Sequence, residues 1–366
     1  MTTRRNLLRG GTTLALAAAA HRVLRAQPRT PSLLILGGTG FIGPHLTQAA
    51  LRAGWRVTHF NRGQHATPQG GVETLIGDRK DRLDALRGRR WDAVIDDTGY
   101  VPRFVKASAE LLAPNVGYYL FISSISVYKS FAAPNDERSA VAQLSNPDVE
   151  EVTGDTYGGL KVLCERHVQE TFSDRAAIVR PGYIVGPLDP SDRFTYWPVR
   201  VSRGGEMLAP GTPRDPIQVI DVRDLAAWLM TLTASRTTGC FNAISPPGAL
   251  SMGELLETSR REIAHPATQT WVPEDFLARV WKPEELDLPP WAPVHGDTAG
   301  QALTSTTLAR HAGLTCRPLR ETVHDTLAWF RTLPPERQAK LHAGLSAQKE
   351  ADTLRAWHAN SPQAAG

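Results

Sequence analysis

The chain of 366 residues predicts an α/β fold: a doubly wound parallel sheet followed by a smaller α+β lobe toward the C-terminus. Three observations predict it. Short, almost wholly apolar runs of strand length, beginning with Ser32–Leu36, recur along the first third of the chain and alternate with stretches of helical periodicity. A glycine-rich turn separates the first such run from the first helical stretch. The composition, 41% hydrophobic and 21% charged, is that of a chain able to bury a core rather than remain disordered.

Ser32-Leu33-Leu34-Ile35-Leu36 is apolar on both faces, as a central parallel strand must be. It runs into Gly37-Gly38-Thr39-Gly40-Phe41-Ile42-Gly43, and Ile42, Leu46, Ala50 and Leu51 then fall on one helical face. Gly38, Gly40 and Gly43 fit G-x-G-x-x-G, while Gly37, Gly40 and Gly43 fit the alternative G-x-x-G-x-x-G spacing. Glycines between a strand and a helix let the backbone approach a pyrophosphate, which the helix N-terminus attracts, so residues 37–43 are assigned to a dinucleotide and the sheet reads as Rossmann-type. The second strand, Arg56–Phe60, ends in Asn61-Arg62-Gly63. An acid here binds the ribose 2′-hydroxyl of NAD; Asn61 lacks that carboxylate and Arg62 can pair with a 2′-phosphate, which favours NADP over NAD unless Arg62 is simply a solvated loop residue. After the third strand, Glu73–Ile76, Asp78 either accepts from the adenine amino group or caps a helix expected to begin near Asp81, with Arg79 beside it at the cofactor. The fourth strand, Trp91–Ile95, places Asp96–Tyr100 at its carboxyl end, where Thr98 is assigned to the cofactor; the fifth is Tyr118–Ile122.

Two further segments carry chemistry. Ser123-Ser124-Ile125-Ser126-Val127-Tyr128 leaves the fifth strand, and Tyr157-Gly158-Gly159-Leu160-Lys161 opens a helix that continues through Glu165 and Val168. With the glycine loop, Asp78 and Arg180-Pro181-Gly182, these stand in the order found in the extended short-chain dehydrogenase/reductases, the superfamily of nucleotide-sugar epimerases and dehydratases, which the chain resembles over roughly residues 32–245 and more loosely to about 332. Tyr157 and Lys161 are four apart and share a helical face, so the ammonium is expected to lower the tyrosine pKa toward neutrality. The resemblance implies that Tyr157 moves the proton, Lys161 reaches the nicotinamide ribose, and Ser124 holds the substrate oxygen while hydride travels to or from the nicotinamide. Ser123 is the alternative serine; Ser124 is preferred because it lies three residues before Val127. The chain departs from the family pattern at Lys129, where glycine is usual, and in the missing acid after the second strand. The implied activity is an NAD(P)-dependent oxidoreductase acting on a hydroxyl or carbonyl of a sugar-like or nucleotide-sugar small molecule, as an epimerase or dehydratase with retained cofactor. The alternatives are an NADPH-dependent reductase of an aromatic or lipid-like carbonyl and, from another class, a cofactor-bound RNA-binding or scaffold protein, because Gly77-Asp78-Arg79-Lys80-Asp81 also resembles plastid stem-loop RNA-binding members of the superfamily.

The expected organisation is a Rossmann domain over 31–190, a substrate lobe over 191–332 with 215–245 returning to the sheet, and a charged, Ala-rich helix with a loose tail over 333–366. Pro181 should pass the nicotinamide. Arg193, Tyr196, Trp197 and Arg214 either grip and stack a sugar or nucleotide or are surface arginines beside core aromatics. Ser251-x-x-Glu254 is a capping box, and the Trp- and Pro-rich stretch 271–295 is expected to pack the lobe rather than form a lid. Cys164, Cys240 and Cys316 show neither disulfide nor zinc spacing and are expected as buried thiols, with no metal site.

Residues 1–26 read as an address. Thr3-Arg4-Arg5-Asn6-Leu7-Leu8 resembles a twin-arginine export signal, and the apolar stretch Gly10–Ala20 is shorter than the roughly 20 residues a membrane span takes. Cleavage near Ala26 and a periplasmic or secreted location are expected, with the export machinery as a partner, no stable membrane span, and a homodimer among the oligomeric options. Removing the five arginines of this segment leaves 36 basic against 37 acidic side chains, too balanced for a phosphate-backbone surface, so no nucleic-acid partner is expected.

Overall fold

The computed structural model describes residues 29–64, 70–286 and 288–360. The export signal expected over 1–26 and its cleavage point lie outside the described residues, as does the tail 361–366. From Pro31 onward the described residues form one compact unit.

The apolar runs become β1 (Ser32–Leu36), β2 (Arg56–Asn61), β3 (Glu73–Ile76), β4 (Ala93–Asp96), β5 (Tyr119–Ile122) and β6 (Ala176–Pro181). β7 (Tyr183–Val185), β8 (Glu206–Pro210), β9 (Pro216–Ile217), β10 (Val219–Asp221), β11 (Gly239–Ala243), β12 (Leu250–Ser251) and β13 (Thr268–Val272) follow. Seven strands make one parallel sheet in the order β11-β6-β5-β4-β1-β2-β3. The order reverses between β1 and β4, which opens a crevice at the carboxyl ends of those strands.

Strand alternation sets the two layers. Leu33 and Ile35 of β1 pack with α1 (Ile42–Arg52) and, later in the chain, with the segment Val222–Ser235, through Leu46, Ala50, Leu225 and Leu229. Leu34 and Leu36 face the other way, onto α2 (Pro102–Leu112) and α3 (Gly154–Phe172), through Val105, Ala109, Cys164 and Val168. Thr153 caps α3 in a reciprocal box with Thr156, which fixes where the helix starts and therefore where Tyr157 sits.

After β6 the chain leaves the sheet and returns to it at β11, which pairs with β6. In between come α4 (Tyr196–Ser202) and α5 (Val222–Ser235). The lobe continues with α6 (Met252–Arg261), α7 (Glu274–Val280), α8 (Thr307–His311), α9 (Leu319–Phe330), α10 (Pro335–Ala339) and α11 (Ala347–Asn360). Its core is Trp197, Met207, Leu256, Trp291, Val323 and Leu327, among others. Ser251 and Glu254 form the capping box of α6. Trp281 and Trp291 are buried in this core, so the Trp-rich stretch packs the lobe.

Several expectations need correction. The helix expected near Asp81 is replaced by the short turn Asp84–Leu86, because Asp78 and Arg82 exchange backbone hydrogen bonds and reverse the chain first. The fourth strand begins at Ala93; Trp91 makes only an isolated bridge to Val116. Leu51 is exposed rather than on the buried face of α1. The terminal segment is two helices, not one. Asp192 accepts from Arg337 of α10 and from the backbone N–H of His342 in the chain between the two helices. Cys164 is buried as expected, but Cys240 is half-buried and Cys316 exposed. Among the described residues no helix is long and apolar enough to cross a membrane.

Candidate active site

The crevice at the strand ends divides into two cavities that share Thr98 and Tyr100. The outer one, about 320 Å³, is lined by Gly37, Thr39, Asn61, Arg62 and Asp78. The inner one, about 470 Å³, is lined by Gly40, Phe41, Ile42, Ser124, Tyr157 and Lys161, with Pro181 and Arg193 at its far side. The elements that sequence order separates thus meet along one continuous groove.

The glycine loop has the shape its spacing implies. Gly38 sits at φ +85°, and a Cβ there would be 2.7 Å from the His59 ring. A Cβ on Gly43 would be 2.2 Å from the carbonyl carbon of Gly38, so the loop folds back on the first turn of α1 only because both are glycine. Gly40 faces open space, and Phe41 gives α1 no side-chain cap, which leaves the first N–H groups of the helix turned to the crevice. Asn61 is absorbed locally: its Oδ1 accepts from the backbone N–H of Gly63 at 2.8 Å and its Nδ2 points to the Gly37 carbonyl at 3.4 Å. Arg62 is exposed at the mouth of the outer cavity. Asp78 lines that cavity while its Oδ1 also accepts from the backbone of Lys80.

Arg79 lines the outer cavity beside Asp78, and its guanidinium donates to both oxygens of Asp96 at 2.5 and 2.8 Å and to Ser108 at 2.7 Å. Asp96 is fully buried and also accepts from the Tyr119 hydroxyl at 2.7 Å. A buried carboxylate needs such a partner set, and Arg79 supplies its charge.

At the inner end, Ser124 Oγ donates to Ser126 Oγ and accepts from the Ser126 backbone N–H, both at 3.1 Å. Ser123 is buried and its hydroxyl has no hydrogen-bond partner among the described residues. Lys161 is buried, and its Nζ donates to the Ile122 carbonyl at 2.8 Å while lying 4.8 Å from the ring centres of Tyr100 and Phe121. Burial pushes this ammonium down to about 8. Tyr157 also departs from expectation. Burial holds its phenol above the ordinary range; the Ser124 hydroxyl and the charge of Arg193 pull it back only in part. Lys161 is turned to the Ile122 carbonyl, so in this arrangement Arg193 rather than Lys161 is the cation that acts on Tyr157.

Of the residues expected at the substrate, Arg193 alone lines the cavity. Its guanidinium sits 5.1 Å from the Tyr183 ring centre and donates to Ser191. Tyr196 and Trp197, adjacent at the start of α4, are both buried in the lobe core, where Trp197 Nε1 donates to the Pro289 carbonyl. Arg214 is exposed on the turn before β9 and does not line the cavity. Phe131, Tyr183 and Gln301 line it instead, and Gln301 Nε2 donates to the Tyr183 hydroxyl at 3.0 Å. Gln301 comes from a loop far along the chain with no local signal. Asp97 and Tyr100 had one: they follow β4 at the carboxyl edge of the sheet.

These residues fit a nicotinamide dinucleotide. The open N-terminus of α1, the space at Gly40 and the orphaned hydroxyl of Ser123 are each features that a bound dinucleotide completes.

Comparison with known proteins gives the following. Residues 33–242 match the NAD dependent epimerase/dehydratase family. The chain is 30% identical over 212 residues to the chloroplast stem-loop binding protein of 41 kDa b of Arabidopsis thaliana; the match spans 53% of each, about half the length of that relative. The Bordetella bronchiseptica enzyme WbmH in complex with NAD+ superposes with a TM-score of 0.60 at 18% identity, covering 83% of this chain and 99% of that one. The UDP-glucuronic acid 4-epimerase of Bacillus cereus in complex with NAD gives 0.57 at 15% identity, covering 81% and 98%. At these identities the two structures speak to the fold.

Proposed function

The chain belongs to the NAD dependent epimerase/dehydratase family and is an NAD-dependent enzyme of the extended short-chain dehydrogenase type; on that premise we propose that it acts on a nucleotide sugar through Ser124, Tyr157 and Lys161. The observation that carries this reading is the convergence of those three side chains on one cavity with the glycine loop. When bound, the nicotinamide supplies a hydride acceptor and donor. Ser124 holds the substrate oxygen by a hydrogen bond, and Tyr157 takes its proton and returns it. Arg193 supports the phenolate and binds the anionic diphosphate of the substrate. Lys161 turns from the Ile122 carbonyl to the ribose hydroxyls. The UDP-sugar epimerases among its structural relatives support the substrate class.

We further propose that Arg62 favours NADP, and that Arg4-Arg5 direct the loaded protein through the twin-arginine pathway to the periplasm or beyond. Export of a folded, loaded protein suits a cofactor recycled within each turnover, hence epimerase or dehydratase rather than reductase. A nucleic-acid role is the second reading, favoured by the stem-loop binding relative and opposed by the charge balance of the chain after residue 26. The test is mass spectrometry of nucleotide released from protein taken from its native compartment, with turnover of UDP-glucose and UDP-glucuronic acid by wild type and Tyr157→Phe. Bound NADP or NAD is expected, with turnover reduced about 10²- to 10⁴-fold in the variant. Empty protein, or a Tyr157→Phe variant with full turnover, refutes it. Salt-dependent RNA binding by the wild type favours the second reading.

A further inference from the structure

Asp96 and Asp97 are adjacent carboxyls with opposite surroundings. Asp96 is fully buried and neutralised by Arg79. Asp97 is half-buried and lines the inner cavity with Tyr157 and Lys161; its backbone N–H donates to the Leu36 carbonyl, while its carboxyl makes no hydrogen bond or ion pair among the described residues. The groups that face it are few. Asp96 is its neighbour on the strand end, Lys161 faces it from α3, and Tyr100 faces it from the loop after β4. The glycine loop packed against it brings Gly37 and no charge. Lys161 spends its hydrogen bond on the Ile122 carbonyl and does not pair with Asp97. Burial and the charge of Asp96 push the Asp97 carboxyl up to about 7, against the pull of Lys161. Tandem acids whose environments drive them apart give one fixed charge and one carboxyl that titrates where the chemistry occurs.

We propose that Asp97 sets the preference of the site for oxidised over reduced nicotinamide and makes that preference depend on pH. The inference rests on the reading that the nicotinamide occupies the inner cavity. The oxidised ring is a cation and the reduced ring is neutral, whereas the ribose and phosphates are the same in both. An ionised carboxylate beside the ring therefore discriminates between the two forms by ring charge alone. Coupling is reciprocal: the cation favours the ionised carboxyl by the same factor by which the carboxylate favours the cation. A shift of one pKa unit in Asp97 corresponds to a tenfold preference. An enzyme that ends each turnover with the oxidised cofactor gains a resting state stabilised by Asp97.

The test measures Kd for NAD+ and for NADH on the full chain from about pH 5.5 to about pH 7.5, below the titration of Lys161. Wild type and Asp97→Asn are compared, with NADP+ and NADPH as a second pair. Effects of pH on the phosphate end, including those of His45 and His59, cancel in the ratio of the two constants. In wild type, for a shift of one pKa unit, the preference for the oxidised form is expected to rise about sixfold across this range, and in Asp97→Asn to stay flat at the low-pH value. A wild-type ratio constant within about twofold overturns the inference, as does an unchanged pH dependence in Asp97→Asn. The wild-type series needs no variant, and Asp97→Ser replaces Asp97→Asn if the amide disturbs folding. If neither pair of nucleotides binds wild type, the nicotinamide reading itself fails and this inference falls with it; tight binding with a flat ratio removes the inference alone.

Discussion

Replacing Glu165 with glutamine strikes the point where the catalytic helix is tied to the sheet. Tyr157, Lys161 and Glu165 follow one another at four-residue steps, so they lie along one face of α3. Glu165 accepts from Arg180 Nε at 2.9 Å and Nη2 at 2.7 Å, linking that face to the end of β6, next to Pro181. The two side chains are 5% and 7% exposed, so water contributes little. Burial pulls Arg180 down, and the Glu165 hydrogen bonds and charge more than reverse it, holding the guanidinium firmly protonated. Glutamine keeps one acceptor oxygen but turns an amide NH2 toward the guanidinium, so the buried cation loses its counter-charge and one of its two strong hydrogen bonds, with only weaker contacts at 3.3 Å to the Tyr128 hydroxyl and 3.5 Å to the Glu137 carbonyl beside the one that is left. Breaking a buried pair from one side costs about 3–5 kcal/mol, a third or more of the stability of a typical domain. Urea unfolding followed by tryptophan fluorescence should show that loss at an unchanged m-value. The double replacement Glu165→Met with Arg180→Met removes the stranded charge and should recover most of it. A single-variant loss below about 1 kcal/mol, or a double variant no better than the single one, refutes the account of this pair as a desolvated clamp.

Gly43→Ala should lower nucleotide affinity by at least about tenfold while leaving the far-ultraviolet circular dichroism unchanged, because the added methyl collides with the Gly38 backbone 2.2 Å away; a fluorescence titration checks it. Lys161, pushed down to about 8 by burial from 10.5, loses its proton in the folded protein before the unfolded chain does. Between these values the unfolded chain binds more protons, so stability should rise with pH by up to roughly 3 kcal/mol relative to Lys161→Met, as read by denaturant unfolding at about pH 7.5 and about pH 10. Glu350 accepts from Arg200 at 2.7 Å and from the Leu208 backbone at 3.0 Å while largely buried; Glu350→Gln should loosen α11 and expose it to limited proteolysis at least about tenfold faster.

Much of this molecule is written in short-range pattern. The alternation of apolar runs and helical stretches determines the layers, because a strand buried on both faces needs continuous Leu and Ile, as in Leu33–Leu36. The glycine spacing from Gly37 to Gly43 determines a loop that has no room for a Cβ at Gly38 or Gly43. The four-residue step from Tyr157 to Lys161 determines a shared face, since that step is one helical turn. Family membership followed from these same residues, and the comparisons agree with it.

What the pattern does not contain is which distant group meets each side chain, and only tertiary structure decided that. Arg79 reads as a cofactor residue, and only the fold shows that Asp96 holds its guanidinium where it lines the outer cavity. Periodicity gives the face of a helix but not its depth, so Tyr196 and Trp197 read equally as stacking rings or as core aromatics, and the fold buries both in the lobe. The direction of the Tyr157 shift depends on burial and on Arg193, and the Lys161 ammonium goes to a carbonyl of β5. Gln301 and Phe131 reach the cavity from segments with no chemical signature. Electrostatics and hydrogen bonding act through space. The sequence alone therefore determined the frame and the chemistry it can hold, and packing across the sheet decided which charges are free to act in it.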